Sequence, residues 1–314
     1  MRANKYMYEG ALISTRENRE YTATLKGLER ARQEGKILEG VVKMCDSATL
    51  SMHIDLGEVE GVIEKEESVY GVPVKDIAII TRVGKAVAFK VVGFDRGEDG
   101  KARALLSRRL AQKDCVEQYL RDLVPGDIIP AKITHFEPFG AFVDVGCGVS
   151  SLLSVDSVSV SRISSPADRF YLRQVLPVVV KTVDYESGRI YVSTKELFGT
   201  WEENARDFQV GQTVSGIVRS VESYGIFVEL APNLAGLAEI KENVCAGDLC
   251  SVYIKSIMKE KMKIKLVIID TYSGESRQST QADFFIDTEN TKHIDYWRYS
   301  PECCERVVET IFDA

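Results

Sequence analysis

The chain has no run of apolar residues approaching the ~18 needed to cross a bilayer. Its opening stretch, MRANKYMYEGALISTREN, lacks the extended apolar segment of a secretory signal. A cytoplasmic protein without membrane contact is expected. Histidine is scarce: His53, His135 and His293 stand far from one another and from any cysteine cluster. Metal sites are usually announced by closely spaced ligands, so no metal is expected. The seven cysteines are odd in number and contain no CxxC pair. That is not the pattern of a secreted disulfide framework, and it suits reduced thiols, including the adjacent Cys303 and Cys304. Phosphate loops of the GxxxxGK(S/T) type, GxGxxG, HExxH and GxSxG are all missing. No cofactor and no enzymatic activity are expected.

What is present is ordinary globular composition, 45% hydrophobic and 28% charged, over a length that accommodates two or three domains. The net charge of −7 is unevenly placed. Residues 35–110 carry 12 basic and 12 acidic side chains, 124–197 carry 7 and 8, and 210–270 carry 7 and 7. Residues 271–314 carry 4 and 9, so the excess acid lies in the tail. Near-neutral modules argue against tight, salt-driven binding to a duplex backbone. They remain compatible with single-strand binding, in which bases stack on aromatic faces.

Three segments follow one plan: GKILEGVVKMCDSATLSMHIDLGEVEGVI from Gly35, GDIIPAKITHFEPFGAFVDVGCGVSSLL from Gly126 and GQTVSGIVRSVESYGIFVELAPNLAGLA from Gly211. Each opens on a glycine and an alternating strand, turns, and runs a short strand to an acid: Asp55, Asp144 or Glu229. β-Branched residues recur at period two in 131–133 and 214–221, which suits half-buried strands. A later strand pair completes each repeat, the second joined by Glu186-Ser187-Gly188. About five strands in roughly 60–75 residues are the dimensions of a small closed Greek-key barrel. Between repeats, Leu110, Val116, Tyr119 and Leu120, then Leu197, Trp201, Ala205 and Phe208, recur at helical spacing.

FGAFVDVG at 139–146, its preceding glycine-led strand and the later GRIYVSTK resemble the OB-fold repeat named after S-one, the largest protein of the bacterial small ribosomal subunit. YGIFVELA at 224–231 with LAGLAEI at 234–240 resembles it too, and so does the Trp201 connector. The resemblance spans about 35–270 and is strongest in the second repeat. It implies an all-β chain of three tandem five-stranded OB-fold barrels with short connecting helices, and it implies binding of single-stranded RNA. It further implies assistance to mRNA at the small ribosomal subunit, by a chain we expect to be monomeric. Phe139 and Phe142 match the family's stacking aromatics, and Asp184 and Arg189 match its polar pair. Tyr224 and Phe227 match in the third repeat; Leu50 and His53 stand there in the first, with Arg103 as the late arginine. Glu64, Ser154 and Glu239 replace a frequent histidine, which leaves the second repeat as the expected main contact.

The residues support the same reading without the family. Two rings three apart around a glycine can line one groove, because glycine permits close backbone approach. Lys132, Arg162, Arg169 and Lys195 are candidate phosphate contacts. Strand aromatics taken alone are more often core than platform, and Phe139 and Tyr224, each following a loop and abutting glycine, are the two that favour a platform. Lys259, Lys261, Lys263 and Lys265 alternate as a phosphate-tracking stripe or as protection of a strand edge. The expected layout is a helical extension at 1–34, repeats at 35–110, 124–197 and 210–270, connector helices at 111–123 and 198–209, and a small α/β extension at 271–314. In that extension 283–287 reads as a strand, and a helix starts at Ser300-Pro301 with Val307, Val308 and Ile311 inward. The extension is either a structural cap or an interaction element. The rival function is a protein-interaction scaffold or regulator, favoured by the acidic balance.

Overall fold

The computed structural model describes residues 6–80, 82–97, 100–272 and 284–312. Segment 6–15 leads into α1 (Arg16–Thr22) and α2 (Leu25–Glu34), each started by a threonine whose hydroxyl accepts a backbone N–H three residues on. α2 stops at Gly35, whose φ of 63° is the left-handed geometry glycine adopts without a Cβ clash. Barrel 1 follows, with β1 (Leu38–Cys45), β2 (Met52–Leu56), β3 (Val59–Ile63), the short α3 (Asp76–Ile80), β4 (Ala86–Arg96) and β5 (Ala102–Ser107). α4 (Arg108–Gln118) connects to barrel 2: β6 (Ile128–Glu137), β7 (Gly140–Asp144), β8 (Ser150–Ser154), the single turn α5 (Val155–Val158), β9 (Val175–Asp184) and β10 (Arg189–Ser193). α6 (Trp201–Ala205) leads to barrel 3: β11 (Thr213–Glu222), β12 (Gly225–Ala231), β13 (Leu234–Ala238), β14 (Leu249–Met258) and β15 (Lys263–Tyr272).

All three barrels close in one strand order, 1-2-3-5-4, with strand 3 parallel to strand 5 and every other pair antiparallel. Alternation decides what fills them. In β15, Ile264, Leu266 and Ile268 point inward while Lys263, Lys265 and Val267 face out. In barrel 2, Ile133, Val143, Leu153, Val178, Val180, Ile190 and Val192 are sealed in the core. Each such side chain contributes about 1.5–3 kcal/mol relative to exposure. Every strand thus keeps an outward row free for other uses.

The two junctions between barrels are built alike, around the acid in the last part of the second strand. At the first, Asp144 accepts N–H groups from Glu9, Gly146 and Gly148. Glu9 takes a bidentate guanidinium from Arg108 at 2.6 and 3.1 Å and a second contact from Arg82 at 3.0 Å. Burial pushes the Glu9 carboxyl up, but Arg108 and Arg82 outweigh it and leave it below the usual range. Asp144 is raised, by burial and then by the charge of Glu9. At the second junction, Glu229 receives Arg169 from barrel 2 at 2.5 and 2.6 Å and Arg219 from barrel 3 at 2.8 and 3.1 Å, with Asp168 at 3.6 Å from Arg219. Asn233 seals this junction by accepting from Val160 N and donating to the carbonyls of Lys195 and Gly199.

The C-terminal extension departs from its expected α/β form. Residues 284–287 form no strand, and Asp283 lies outside the described residues. No helix starts at Ser300. Instead β16 (Tyr296–Arg298) pairs antiparallel with β17 (Glu309–Ile311). Ser300 Oγ accepts the N–H of Val308, and the Tyr299 N–H donates to Val308 O. A hairpin therefore takes the hydroxyl that a helix cap would have used. Val307 and Ile311 are exposed, not inward, while Trp297, Tyr299 and Phe312 are buried. The extension is a strap: Ile128 N donates to Lys292 O, Ile294 N to Gly126 O, and Tyr299 Oη to Asn233 O.

Two outcomes follow. Glu229→Ala leaves two guanidiniums facing each other in a buried site, and urea unfolding should show a loss of about 3–5 kcal/mol. Glu39 accepts N–H groups from Gly10, Leu12 and Ile13, and burial pushes its carboxyl up to about 7 against those donors. Between about pH 4.5 and 7 the folded chain therefore holds a proton that the unfolded chain has lost, so stability falls as pH rises through that window. At about 1.4 kcal/mol per unit the drop is on the order of 3 kcal/mol. Urea titrations at stepped pH should show this slope in the native chain and a shallower one in Glu39→Gln, where the raised Asp144 still contributes.

Candidate nucleic-acid interface

Phe139 occupies the turn between β6 and β7 and is 54% exposed. Its carbonyl is pinned by Val155 N at 3.0 Å. Gly140 makes the turn possible, because a Cβ there would stand 2.6 Å from the carbonyl oxygen of Leu153. Phe142 lies half-buried on β7, with its ring edge-on to Phe139 at 6.1 Å and 85°. On its other side, across the β6–β7 register, His135 stacks on it at 4.5 Å and 10°. The register continues from Phe142 to Leu152 on β8 and from Leu152 to Tyr191 on β10. His135, Phe142, Leu152 and Tyr191 thus form one outward row over four neighbouring strands, and Tyr191 is 45% exposed.

Barrel 3 repeats the arrangement. Tyr224 is 66% exposed and edge-on to Phe227 at 6.1 Å and 88°. Gly225, at φ 155°, would with a Cβ meet Ala238 O at 2.7 Å. The row here reads Ser220, Phe227, Leu237 and Lys265. In barrel 1 it reads Met44, His53, Val62 and Leu105. His53 is tied down, with Nδ1 to Glu60 at 2.9 Å and Nε2 to Ser51 Oγ at 3.2 Å. Val62 is buried, Leu50 sits in a loop at φ 57°, and Arg103 forks onto Asp95 at 2.6 and 2.9 Å.

The polar candidates divide sharply. Asp184 spends its oxygens on the hairpin turn, accepting from Glu186 N, Ser187 N and Ser187 Oγ, and these bonds hold its carboxyl below the usual range. Arg189 is its exposed cross-strand neighbour. Arg162 is 82% exposed, 3.8 Å from Glu222 beside the Tyr224 turn. The other three cations are engaged elsewhere, against expectation. Arg169, at the end of the short turn Pro166–Asp168, is only 6% exposed, locked on Glu229 of barrel 3. Lys132 donates to Glu9 O at 2.8 Å and lies over the Tyr8 ring, holding the N-terminal segment. Lys195 is largely covered, 3.9 Å from the buried Glu196. Of the lysine stripe, Lys263 and Lys265 share an outward strand face, while Lys259 and Lys261 sit in the turn before it.

His135 and Tyr191 were not singled out from the sequence as contacts, whereas Lys265 was, within the alternating lysine stripe. Alternation in GRIYVS does send Tyr191 outward, but only the parallel pairing of β8 with β10 sets it beside the phenylalanines.

With this geometry in hand, the comparisons with known proteins place the chain. Residues 123–195 match the family described as S1 RNA binding domain. The match falls on the middle barrel, which upholds the resemblance to the ribosomal S-one family. The chain is 29% identical over 224 residues to the small ribosomal subunit protein bS1 homolog of Bacillus subtilis (strain 168), covering 69% of this chain and 56% of that protein. It is 30% identical over 209 residues to small ribosomal subunit protein bS1 of Staphylococcus saprophyticus, covering 62% and 52%. The chain thus spans about half the length of the curated relatives it matches. Among solved structures, a multidomain protein with nucleic acid binding domains from Streptococcus pneumoniae TIGR4 aligns over 75% of this chain and 73% of its own, at 16% identity and a TM-score of 0.24.

Proposed function

We propose that the chain is a non-catalytic single-stranded RNA-binding protein that helps mRNA engage the small ribosomal subunit in the bacterial cytoplasm. The observation that carries this reading is the open aromatic wall of barrel 2, where Phe139 projects beside the Phe142–His135 stack. Exposed rings cost free energy in water unless something covers them, and an unstacked base has the matching flat face. The match of this barrel to an RNA-binding family and the similarity to ribosomal relatives support the choice of ligand. Tyr224 and Phe227 supply a second platform, and Arg189 and Arg162 remain available to phosphate. In this reading the chain acts as a monomer without a cofactor. Its working units are the barrels at 35–110, 124–197 and 210–270, the helical stretches at 1–34, 111–123 and 198–209 serve as extension and connectors, and 271–314 straps two barrels together.

The test is a titration of the full chain with single-stranded RNA. Phe139→Ala, whose side chain is outside the core, should weaken binding by about 1–3 kcal/mol with the unfolding midpoint unchanged. Near-neutral modules should also give a shallow salt dependence. Absence of binding at low salt, or full affinity in Phe139→Ala, sinks the proposal. Sedimentation with ribosomes, with and without competing free RNA, tests the ribosomal half of it.

A further inference from the structure

The three barrels differ along the outward row, and the residue at its last position assigns a specific base seat, resting on the RNA reading above. β7, β8 and β10 are neighbours in that order, so Phe142 and Tyr191 stand two strand spacings apart with Leu152 between them. At 4.7–4.9 Å per spacing the two backbone positions are about 9–10 Å apart. One flat base in van der Waals contact with a ring on each side occupies about 7–8 Å. The spacing of the two positions therefore leaves room for one base between the rings. Its floor is the half-buried, apolar side chain of Leu152, which offers no hydrogen bond and so selects no base by its edge. The far face of Phe142 is already covered by His135 at 4.5 Å. A base can reach the face of Phe142 only from the Leu152 side.

We propose that one unstacked nucleobase of single-stranded RNA seats over Leu152, sandwiched between Phe142 and Tyr191. In barrel 3 the same seat is floored by Leu237 and walled by Phe227, and Lys265 stands where Tyr191 stands in barrel 2. That seat stacks a base on one face only and adds an ammonium that meets the adjoining phosphate. Barrel 1 has no seat. Its floor, Val62, is buried, His53 is held by Glu60 and Ser51, and Leu105 fills the tyrosine position. The strand is thus gripped by stacking on barrel 2 and by stacking plus charge on barrel 3.

The experiment uses the full chain and a single-stranded RNA oligonucleotide over a series of salt concentrations. Tyr191→Ala should weaken binding about 5- to 150-fold with an unchanged salt slope, and Tyr191→Phe should bind as the native chain does. Lys265→Gln should instead flatten the slope by about 0.7. On an oligonucleotide of abasic ribose-phosphate units, the native chain and Tyr191→Ala should bind alike, since no base remains to be sandwiched. If Tyr191→Ala retains native affinity while Phe139→Ala loses it, the seat is overturned and the RNA reading stands. If the native chain fails to bind the ordinary oligonucleotide, both fall together.

Discussion

The arrangement of this chain depends on a buried carboxylate late in the second strand of a barrel, neutralised from outside that strand. Asp144 and Glu229 occupy this position in barrels 2 and 3, and each sits in a set of two acids and two arginines: Glu9, Asp144, Arg82 and Arg108 at one junction, Asp168, Glu229, Arg169 and Arg219 at the other. A single charge removed from water costs several kcal/mol, so such a group persists only when its partners are complete. Completeness requires both neighbouring modules to be in place. The junctions are therefore all-or-none couplings and not greasy contacts that slide. In barrel 1 the corresponding Asp55 stands partly in water against Lys43, and among the described residues no junction is built on it.

This coupling decides what is left for a ligand. The arginines and lysines nearest the junctions are consumed internally, in modules whose basic and acidic residues are already nearly balanced. What remains along the same outward face is flat and apolar: Phe139, Phe142 and Tyr191 on one barrel, Tyr224 and Phe227 on the next. A surface of that kind gains little from polyelectrolyte attraction and much from stacking. The physical chemistry of the junctions and that of the wall are thus one allocation of residues, with charge inward between modules and rings outward to solvent.

How much of this was legible in the sequence follows from how local each signal is. Period-two alternation and the repeated glycine-led plan disclose three barrels, because both are properties of short segments. Phe139 and Tyr224 were legible for the same reason: the adjoining glycine marks a turn in which a Cβ would meet the next strand. Arg169, Lys132 and Lys195 are engaged within the fold, which residue type could not disclose, because it does not say whether another element covers a side chain. Tyr191 and His135 were missed because the row they complete depends on register across strands distant in sequence, β8 against β10 above all. Ser300-Pro301 meets every local rule for a helix start, yet its hydroxyl serves a β-hairpin, where tertiary pairing overrides the cap.

The late arginines show how the same residue type can be available in one repeat and spent in another. In barrel 1, Arg103 forks onto Asp95 with both oxygens, so a phosphate approaching it must first displace a bidentate carboxylate. In barrel 2, the equivalent acid, Asp184, has turned its oxygens to the amides and hydroxyl of the Glu186–Ser187 turn. Arg189, across the strand from it, forms no ion pair among the described residues, and a phosphate would displace only water from its guanidinium. The turn sequence Glu186-Ser187-Gly188 thus does more than reverse the chain. By absorbing the carboxylate it leaves a cation free two residues from Tyr191, on the same face of β10, which links the chemistry of a hairpin to the reach of the wall beside it.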